Sequence, residues 1–388
     1  MKAMSAGRPG GVGGRFAVCI EITQCCEIKY SFSCDNERSI ECKRYGVTLR
    51  ISFCSRCRME FLWLFAFYLI SIILCIFVFC LVSARSRARL DTILQRTEEA
   101  LSLVLPAWLQ RYYTTCFHTR SGSFVVLHLI LDALVFAEYT WEVFAYCLEL
   151  EMRLLFLLLP YGLITINLYY LYKCCVTDPG VVTKQKEETY TQMYEYDGIL
   201  YHRGKECHTC HLRKPARSKH CGVCGCCVHR FDHHCVWVNN CVGALNVRYF
   251  LVYLFSLTLT VLSLTGVFTA FLLQVVLLSH MMTAAYVDVD GYEHMMSIAV
   301  IIQHLFLTFP RIVFTLGFLV VLLLLVGGYG CFMFYLCVTN QTTNEWYKVR
   351  RRGPAGDLPS DSFKGYSKGA AANLLEVFLP LATYKKGN

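Results

Sequence analysis

The sequence predicts an α-helical polytopic membrane protein, a bundle of about five transmembrane helices that carries a small cysteine-rich domain. The 388 residues are 55% hydrophobic and only 17% charged, and the mean hydropathy of +0.43 is high for a soluble chain. Several apolar runs reach the length of about 20 residues that a helix needs to cross a bilayer. Cysteine and histidine are concentrated between residues 207 and 241.

Five apolar runs are candidate membrane spans. Four of them lack charged residues, and the other contains Asp132 and Glu138, of which we expect Asp132 to face other helices rather than lipid. The predicted spans cover residues 61–82, 124–139, 154–172, 249–275 and 312–336. A further run, 297–309, is too short to cross and predicts an interfacial or re-entrant segment.

The distribution of lysine and arginine predicts the orientation. Arg85, Arg87 and Arg89 follow the first span, and both the segment 173–248 and the tail from residue 348 are rich in basic residues. Because basic residues accumulate on the cytoplasmic side of spans, we expect the cysteine-rich block and the C-terminal tail to be cytoplasmic.

The predicted domains follow the spans. Residues 1–58 form an atypical N-terminal extension, which we expect to be disordered, and their ten Lys and Arg residues would lie on the lumenal side, against the usual bias. We therefore expect the working protein to start at Met59, which N-terminal sequencing of the natural product would test. The remaining domains are residues 59–176 (three spans with an amphipathic segment at 91–105), 177–248 (the cysteine-rich domain), 249–338 (two spans) and 339–388 (the tail).

The cysteine-rich block has the ligand spacing of metal-binding turns. A tetrahedral zinc ion takes four nitrogen or sulfur ligands, and a short CxxC turn supplies two of them. About 35 residues are too few for an apolar core, so bound metal must supply the folding free energy. We expect two structural zinc ions. The candidate ligands are Cys207, Cys210, His220, Cys221, Cys224, Cys227, His234 and Cys241.

At least one thiol remains after eight ligands, and Cys235 lies beside two histidines and an aspartate. The imidazole of His233 could take the thiol proton, and Asp232 could orient that imidazole. Neighbouring residues of an extended strand point to opposite sides, so His234 could face metal while His233 and Cys235 face away from it. The alternative is that all these side chains bind or pack around metal.

The block resembles the cysteine-rich domain of DHHC-type protein S-acyltransferases, the palmitoyltransferases. The resemblance covers about residues 59–388. The motifs that carry it are Asp232-His233-His234-Cys235, Asn246-x3-Phe250, Asp178-Pro179-Gly180 (the family's DPG motif), Thr342-Thr343-Asn344-Glu345 (its TTxE motif) and Asn373 in the C-terminal element.

The resemblance implies roles for the catalytic residues, for Thr343 and for the metal ligands. Cys235 would accept the acyl group, with His233 as its base and Asp232 as the orienting carboxylate, and Thr343 would form a hydrogen bond near Asp232. Structural zinc ions would be held by two sets of ligands, Cys207, Cys210, His220 and Cys227 in the first and Cys221, Cys224, His234 and Cys241 in the second.

The implied reaction moves a long-chain acyl group from acyl-CoA, such as palmitoyl-CoA, through Cys235 to cytoplasmic cysteines of membrane-associated substrate proteins. The bilayer suits this substrate, because each buried CH₂ of an acyl chain contributes about 0.8 kcal/mol. The basic residues border membrane spans, so we do not expect nucleic acid as a partner. Candidates for binding the phosphates of acyl-CoA are Lys214, Arg217, Lys219, Arg230 and Arg248, unless they only reflect the charge bias of cytoplasmic segments.

The last four residues, Lys385-Lys386-Gly387-Asn388, match a di-lysine pattern that predicts retrieval to the endoplasmic reticulum membrane, with the Golgi or plasma membrane as further sites. A chance basic end is the alternative.

The alternative to an enzyme is a non-catalytic, membrane-anchored zinc-binding adaptor. A ring-type ubiquitin ligase fits less well, because these ligands are too closely spaced.

Overall fold

The computed structural model describes residues 38–44, 47–53, 106–287, 293–352 and 366–379. The predicted span 61–82, the amphipathic segment 91–105 and the di-lysine end lie outside these residues. Within the N-terminal extension, where we expected disorder, the structure describes an antiparallel strand pair, β1 (Arg38–Arg44) and β2 (Val47–Phe53). For the rest of residues 1–58 the disorder stays a prediction.

The first two described spans are consecutive helices. Helix α1 (Ala107–His118) precedes them. The first span joins α2 (Ser123–Glu138), a π-helical segment (Tyr139–Phe144) and α3 (Ala145–Glu149), and the second is α4 (Leu154–Val176). The buried Tyr139 hydroxyl donates a hydrogen bond of 2.5 Å to the carbonyl of Leu157, which ties the two spans together.

The cysteine-rich domain follows α4 and consists of one helix and three short antiparallel hairpins. Strands of two or three residues bury little apolar surface, so their order depends on what the side chains bind. The elements are α5 (Lys184–Met193), β3 (Glu206–Cys207) with β4 (Leu212–Arg213), β5 (Lys219–Cys221) with β6 (Cys226–Val228), and β7 (His233–Cys235) with β8 (Asn240–Val242).

The DPG turn connects α4 to this domain. One oxygen of the Asp178 carboxylate accepts hydrogen bonds from the backbone N–H groups of Gly180 and Val181, both at 2.8 Å. Gly180 has a φ of +103°, which favours glycine. A Cβ atom on Gly243, just after β8, would lie 2.5 Å from the carbonyl oxygen of Pro179. The turn and the last hairpin therefore touch backbone to backbone.

The third and fourth described spans are separated by a smaller set of elements. The third span is α6 (Val247–Leu278), followed by the hairpin of β9 (Ala285–Val287) and β10 (Glu293–Met295), then α7 (Ile298–Thr308) and the fourth span, α8 (Pro310–Val338). Helix α7 is shorter than a span, in agreement with the predicted segment 297–309.

Four described helical segments are long and apolar enough to cross a membrane, and they coincide with four of the five predicted spans. They confirm a polytopic α-helical fold with a cysteine-rich hairpin domain. After α8 the chain forms α9 (Thr343–Arg352) and α10 (Ala370–Phe378). The buried Asn373 carboxamide donates to the carbonyl of Val338 at 2.7 Å, which fastens α10 to the end of α8.

Candidate metal centres and active site

The eight predicted metal ligands form two sets of four. In each set the ligand atoms lie within 4.8 Å of one another. In the first set, Nδ1 of His220 lies 3.5, 3.3 and 3.9 Å from the sulfurs of Cys207, Cys210 and Cys227. Zinc bonds of about 2.1 Å to nitrogen and 2.3 Å to sulfur in a tetrahedron separate these atoms by about 3.6 Å. The set therefore fits a tetrahedral metal ion.

The second set has the same dimensions. Nδ1 of His234 lies 3.8, 3.3 and 3.6 Å from the sulfurs of Cys221, Cys224 and Cys241. Adjacent residues of strand β5 serve different sets, because His220 belongs to the first and Cys221 to the second. The middle hairpin is thus shared by both centres, so that loss of either metal would affect it.

Cys235 belongs to neither set. It is buried at the end of β7, where the strand register places it opposite Asn240. Its thiol interacts electrostatically with the imidazole of His233. Within the described residues, the thiol of the DHHC run is therefore outside both ligand sets and interacts with an imidazole.

His233 is held by a buried carboxylate. Its Nδ1 donates a hydrogen bond of 2.6 Å to Oδ2 of Asp232. The other oxygen of Asp232 accepts the backbone N–H of Thr343 at 2.7 Å, and the Thr343 hydroxyl donates to Oδ2 at 2.8 Å. Thr343, Asp232 and His233 therefore form a continuous chain of hydrogen bonds, and the imidazole at its end interacts with the Cys235 thiol.

These contacts set the charge of the pair. Burial raises the pKa of Asp232, but hydrogen bonds from His233 and Thr343 and the charge of His233 hold it below its usual range. Burial lowers the pKa of His233, but its hydrogen bond to Asp232 and its electrostatic interactions with Asp232 and Cys235 raise it to about 10. An imidazole in this setting holds a proton firmly once it has received it.

A buried ion pair fixes the segment that carries Thr343. The side chains of Arg217 and Glu345 are both fully buried, and Nε and Nη2 of Arg217 donate to the two carboxylate oxygens at 2.7 Å. Nη1 donates to Oδ1 of Asn340 at 2.9 Å. The rings of Tyr194 and Tyr366 lie 4.9 and 4.5 Å from the guanidinium carbon. The cysteine-rich domain and the C-terminal tail therefore meet at Arg217.

This burial corrects two of the predicted phosphate ligands. Arg217 is completely covered, and Arg230, which is 4% exposed, donates to Oδ1 of Asn340 at 3.0 Å. Neither guanidinium can reach a phosphate in solvent. Lys214 and Arg248 are partly exposed, and Arg248 donates to the carbonyl of Phe378 at 3.1 Å.

A cleft of about 350 Å³ lies beside His233 and offers one exposed cation. Lys219 lines it, with its ammonium 5.2 Å from the centre of the Phe231 ring. Thr343, Asn344 and Tyr347 of α9 form the facing wall. A polar substrate group can therefore approach the imidazole from solvent.

Asn240 is a residue that the sequence analysis missed. It is buried, and its carboxamide donates to the carbonyls of Cys174 and Thr177, both at 2.9 Å. Those carbonyls are at the C-terminal end of α4, where they lack partners within the helix. The only signal in the sequence was its place five residues after Cys235, which is the place of a hairpin partner.

The chain is similar in sequence to known proteins. The family model "DHHC palmitoyltransferase" matches residues 200–350. The chain is 47% identical to palmitoyltransferase ZDHHC4 of Bos taurus over 336 residues, which cover 83% of this chain and 97% of the relative. It is 46% identical to palmitoyltransferase ZDHHC4 of Mus musculus, over 84% of this chain and 99% of that protein. Palmitoyltransferase ZDHHC17 of Homo sapiens is 32% identical over 59% of this chain and 34% of that protein.

Proposed function

This chain belongs to the DHHC palmitoyltransferase family of protein S-palmitoyltransferases, and we propose that its reaction runs through Cys235 as the acyl-accepting nucleophile. The observation that supports this most is the state of its thiol. Cys235 lies outside both ligand sets and interacts electrostatically with His233, whose Nδ1 is held by Asp232. This is the arrangement of nucleophile, base and orienting acid.

The first step consumes acyl-CoA. His233 takes the proton of Cys235, and the thiolate attacks the thioester carbon. A bond forms between that carbon and Sγ of Cys235, the bond to the CoA sulfur breaks, and the proton on His233 goes to the departing thiolate. In the second step the thiol of a substrate protein repeats the sequence on acyl-Cys235. The two half-reactions predict ping-pong kinetics.

The position of Cys235 fits a substrate with a lipid tail and a water-soluble head. The acyl chain lies between the spans, and the CoA head group stays on the cytoplasmic side. Of the basic residues, Lys219 in the cleft beside His233 and the partly exposed Lys214 and Arg248 are the proposed phosphate contacts. The acceptors are cytoplasmic cysteines of membrane-associated proteins.

Both Cys/His sets are proposed to hold structural zinc. Four cysteine or histidine ligands close the coordination shell and leave no position for substrate. The metal, when bound, contributes folding free energy to hairpins that have little apolar core. This chain's own part is to keep Cys235 out of both shells.

The proposed location is the endoplasmic reticulum membrane. The support is the Lys385-Lys386 pair near the end of a basic, cytoplasmic tail. Replacement of both lysines by serine is expected to shift a tagged protein to later compartments of the secretory pathway. An unchanged distribution would contradict the retrieval signal.

Acyl-enzyme labelling tests the proposed function. The purified protein is incubated with palmitoyl-CoA, and the thioester adduct is mapped by mass spectrometry and by its release with hydroxylamine. We expect an adduct on Cys235 that is absent from Cys235→Ser. Cys226→Ser is the matched control, because Cys226 is partly exposed, lies in the same domain and belongs to neither ligand set. Undiminished labelling of Cys235→Ser would refute this role, and an adaptor without catalysis would give no adduct in any variant.

A further inference from the structure

Two ionisable side chains lie inside the helical bundle, apart from the residues assigned above. His128 and Asp132 are one turn apart on α2, and Tyr253 of α6 faces them. Nε2 of His128 lies 3.4 Å from the Tyr253 hydroxyl and 3.4 Å from Oδ2 of Asp132. His128 and Tyr253 are 9% and 4% exposed. Ionisable groups within a span are costly, and where they occur they usually serve a function.

His128, Asp132 and Tyr253 form a trio that lies near the proposed nucleophile, Cys235. The ring of His128 meets the ring of Trp237, two residues after Cys235, edge to face at 6.5 Å. The Tyr253 ring is 6.1 Å from Phe250, which packs at 5.3 Å against His233. Tyr253 also interacts electrostatically with Cys235 and Asp132. These contacts place the trio, which belongs to two of the membrane-span helices, next to the residues around Cys235 and His233.

The hydrogen bonds leave one donor for a substrate. A carboxylate beside Nε2 of His128 favours a hydrogen on that nitrogen, since a carboxylate can only accept. Nε2–H then donates to the Tyr253 oxygen, and the hydroxyl keeps its own hydrogen for another acceptor. Donation into the oxygen polarises the O–H bond and makes it a stronger donor. Within the described residues, the bond to His128 is the hydroxyl's only hydrogen bond in the structure.

We propose that the Tyr253 hydroxyl donates a hydrogen bond to the carbonyl oxygen of the acyl thioester as that oxygen becomes an oxyanion. When Cys235 attacks, the carbonyl π electrons move to this oxygen, and they return when the CoA sulfur leaves. Tyr253 is thus a catalytic residue, and His128 and Asp132 are positioning residues that act through it. The proposal rests on the proposed role of Cys235.

The same oxyanion forms in both half-reactions, because each passes through a tetrahedral adduct at the same carbon. A fixed donor in a site without water stabilises that charge more than it stabilises the neutral carbonyl. The effect therefore falls on the rate of acyl transfer and not on the affinity for acyl-CoA. It is also independent of chain length, since the carbonyl is common to all acyl groups.

Single-turnover acylation of the full-length protein with palmitoyl-CoA tests this. Tyr253→Phe removes only the hydroxyl and is expected to slow formation of acyl-Cys235 by about 100-fold, as loss of one oxyanion donor does, with an unchanged KM. His128→Phe should lie between the wild type and Tyr253→Phe. Tyr139→Phe is the matched control, because it removes another buried tyrosine hydroxyl between spans, the one bonded to the Leu157 carbonyl. We expect it to lower Tm and leave the acylation rate unchanged.

Two results would overturn the proposal. One is a Tyr253→Phe rate within about twofold of the wild type, in protein that retains its zinc. The other is a rate loss that differs among saturated acyl-CoAs of three lengths, since that would indicate a change in cavity shape. If Tyr253→Phe does not fold, a folded His128→Phe with the wild-type rate would refute the relay. Failure of the proposed function is distinguishable, because the wild type itself would then form no adduct on Cys235.

Discussion

The hairpins β5–β6 and β7–β8 have the same three-residue strands and each carries a His-Cys pair, yet their cysteines have different surroundings. His220 and His234 occupy equivalent positions, opposite Cys227 and Cys241, and in both hairpins this cross-strand pair belongs to one ligand set. The next residue differs. Cys221 joins the second ligand set, whereas Cys235 joins none.

The surroundings of the two cysteines account for this difference. Near Cys221 lie Cys224, Cys241 and His234, which complete four ligands. The residue opposite Cys235 is Asn240, and its carboxamide is occupied by carbonyls at the end of α4. Both His234 and Cys241 of the second hairpin belong to the second set, and His233 is bonded to Asp232. A duplicated local pattern thus yields a thiol inside a ligand set in one place and a thiol outside both sets in the other.

The largest expected effect is the difference between replacing Cys221 and replacing Cys235. Cys221→Ser removes a ligand, and we expect loss of zinc from the second set and unfolding of the hairpin domain, because metal supplies its folding free energy. Cys235→Ser should keep both zinc ions and a Tm close to that of the wild type, but lose at least about 10³-fold in acylation rate. Metal analysis, thermal unfolding and acyl labelling report the three quantities. Equal zinc loss in both variants would remove the distinction between the hairpins.

The second largest expected effect is at His233, the residue before the His-Cys pair of the second hairpin. His233→Ala removes the proposed base, and acylation should fall by about 10²- to 10⁴-fold with zinc retained. His202→Ala is the control, since His202 is exposed and outside both ligand sets. Single-turnover labelling provides the rates. A fall of less than about fivefold for His233→Ala would mean that another group takes the proton.

The third effect concerns Thr343 of α9, which forms hydrogen bonds with Asp232 beside the second hairpin. Thr343→Val removes the hydroxyl bond to Oδ2 of Asp232 but keeps the backbone bond to Oδ1. A hydrogen bond to a charged group contributes about 1.5–3 kcal/mol, so we expect acylation to slow by about 10- to 100-fold. In the control, Thr339→Val, the lost hydroxyl bond goes to a carbonyl of α8 itself, that of Tyr335. Equal rates for the two variants would contradict an orienting role for Thr343.

The smallest expected effect is on stability and concerns the residues opposite the two cysteines, Asn240 and Cys226. Asn240→Ala leaves buried carbonyls of α4 without their donor, and we expect a loss of about 1–3 kcal/mol in unfolding free energy. Cys226→Ala, at the equivalent position opposite Cys221, should stay within about 0.5 kcal/mol, because Cys226 is partly exposed and outside both sets. Denaturant titration measures both. The reverse order would show that Asn240 does not hold the second hairpin to the spans.

The metal ligands could be predicted because zinc turns are local. CxxC and HCxxC spacings hold ligand pairs within one turn, so the order along the chain is sufficient to suggest the sites. The spans were equally visible, since about 20 apolar residues in sequence need no knowledge of the rest of the chain. Asp132, expected to face other helices, lies beside His128 of its own helix and interacts electrostatically with Tyr253 of α6.

Contacts between distant segments were not predictable in this way. Arg217 looks like any cytoplasmic cation in the sequence, but Glu345 and Asn340, more than a hundred residues away, enclose it. Burial converts it from a candidate phosphate ligand into a structural support for Thr343. The contacts of Asn240 and Tyr253 were not predictable for the same reason, because their partners lie on distant segments of the chain.

Native mass spectrometry of the full-length protein after incubation with palmitoyl-CoA tests the central claim most directly, that one thiol of the paired hairpins stays free of metal and reacts. We predict a species that carries two zinc ions and one palmitoyl group on the same molecule, with the group on Cys235 after peptide mapping. Acylation that always accompanies loss of a zinc ion, or that maps to one of the eight ligand residues, would contradict it.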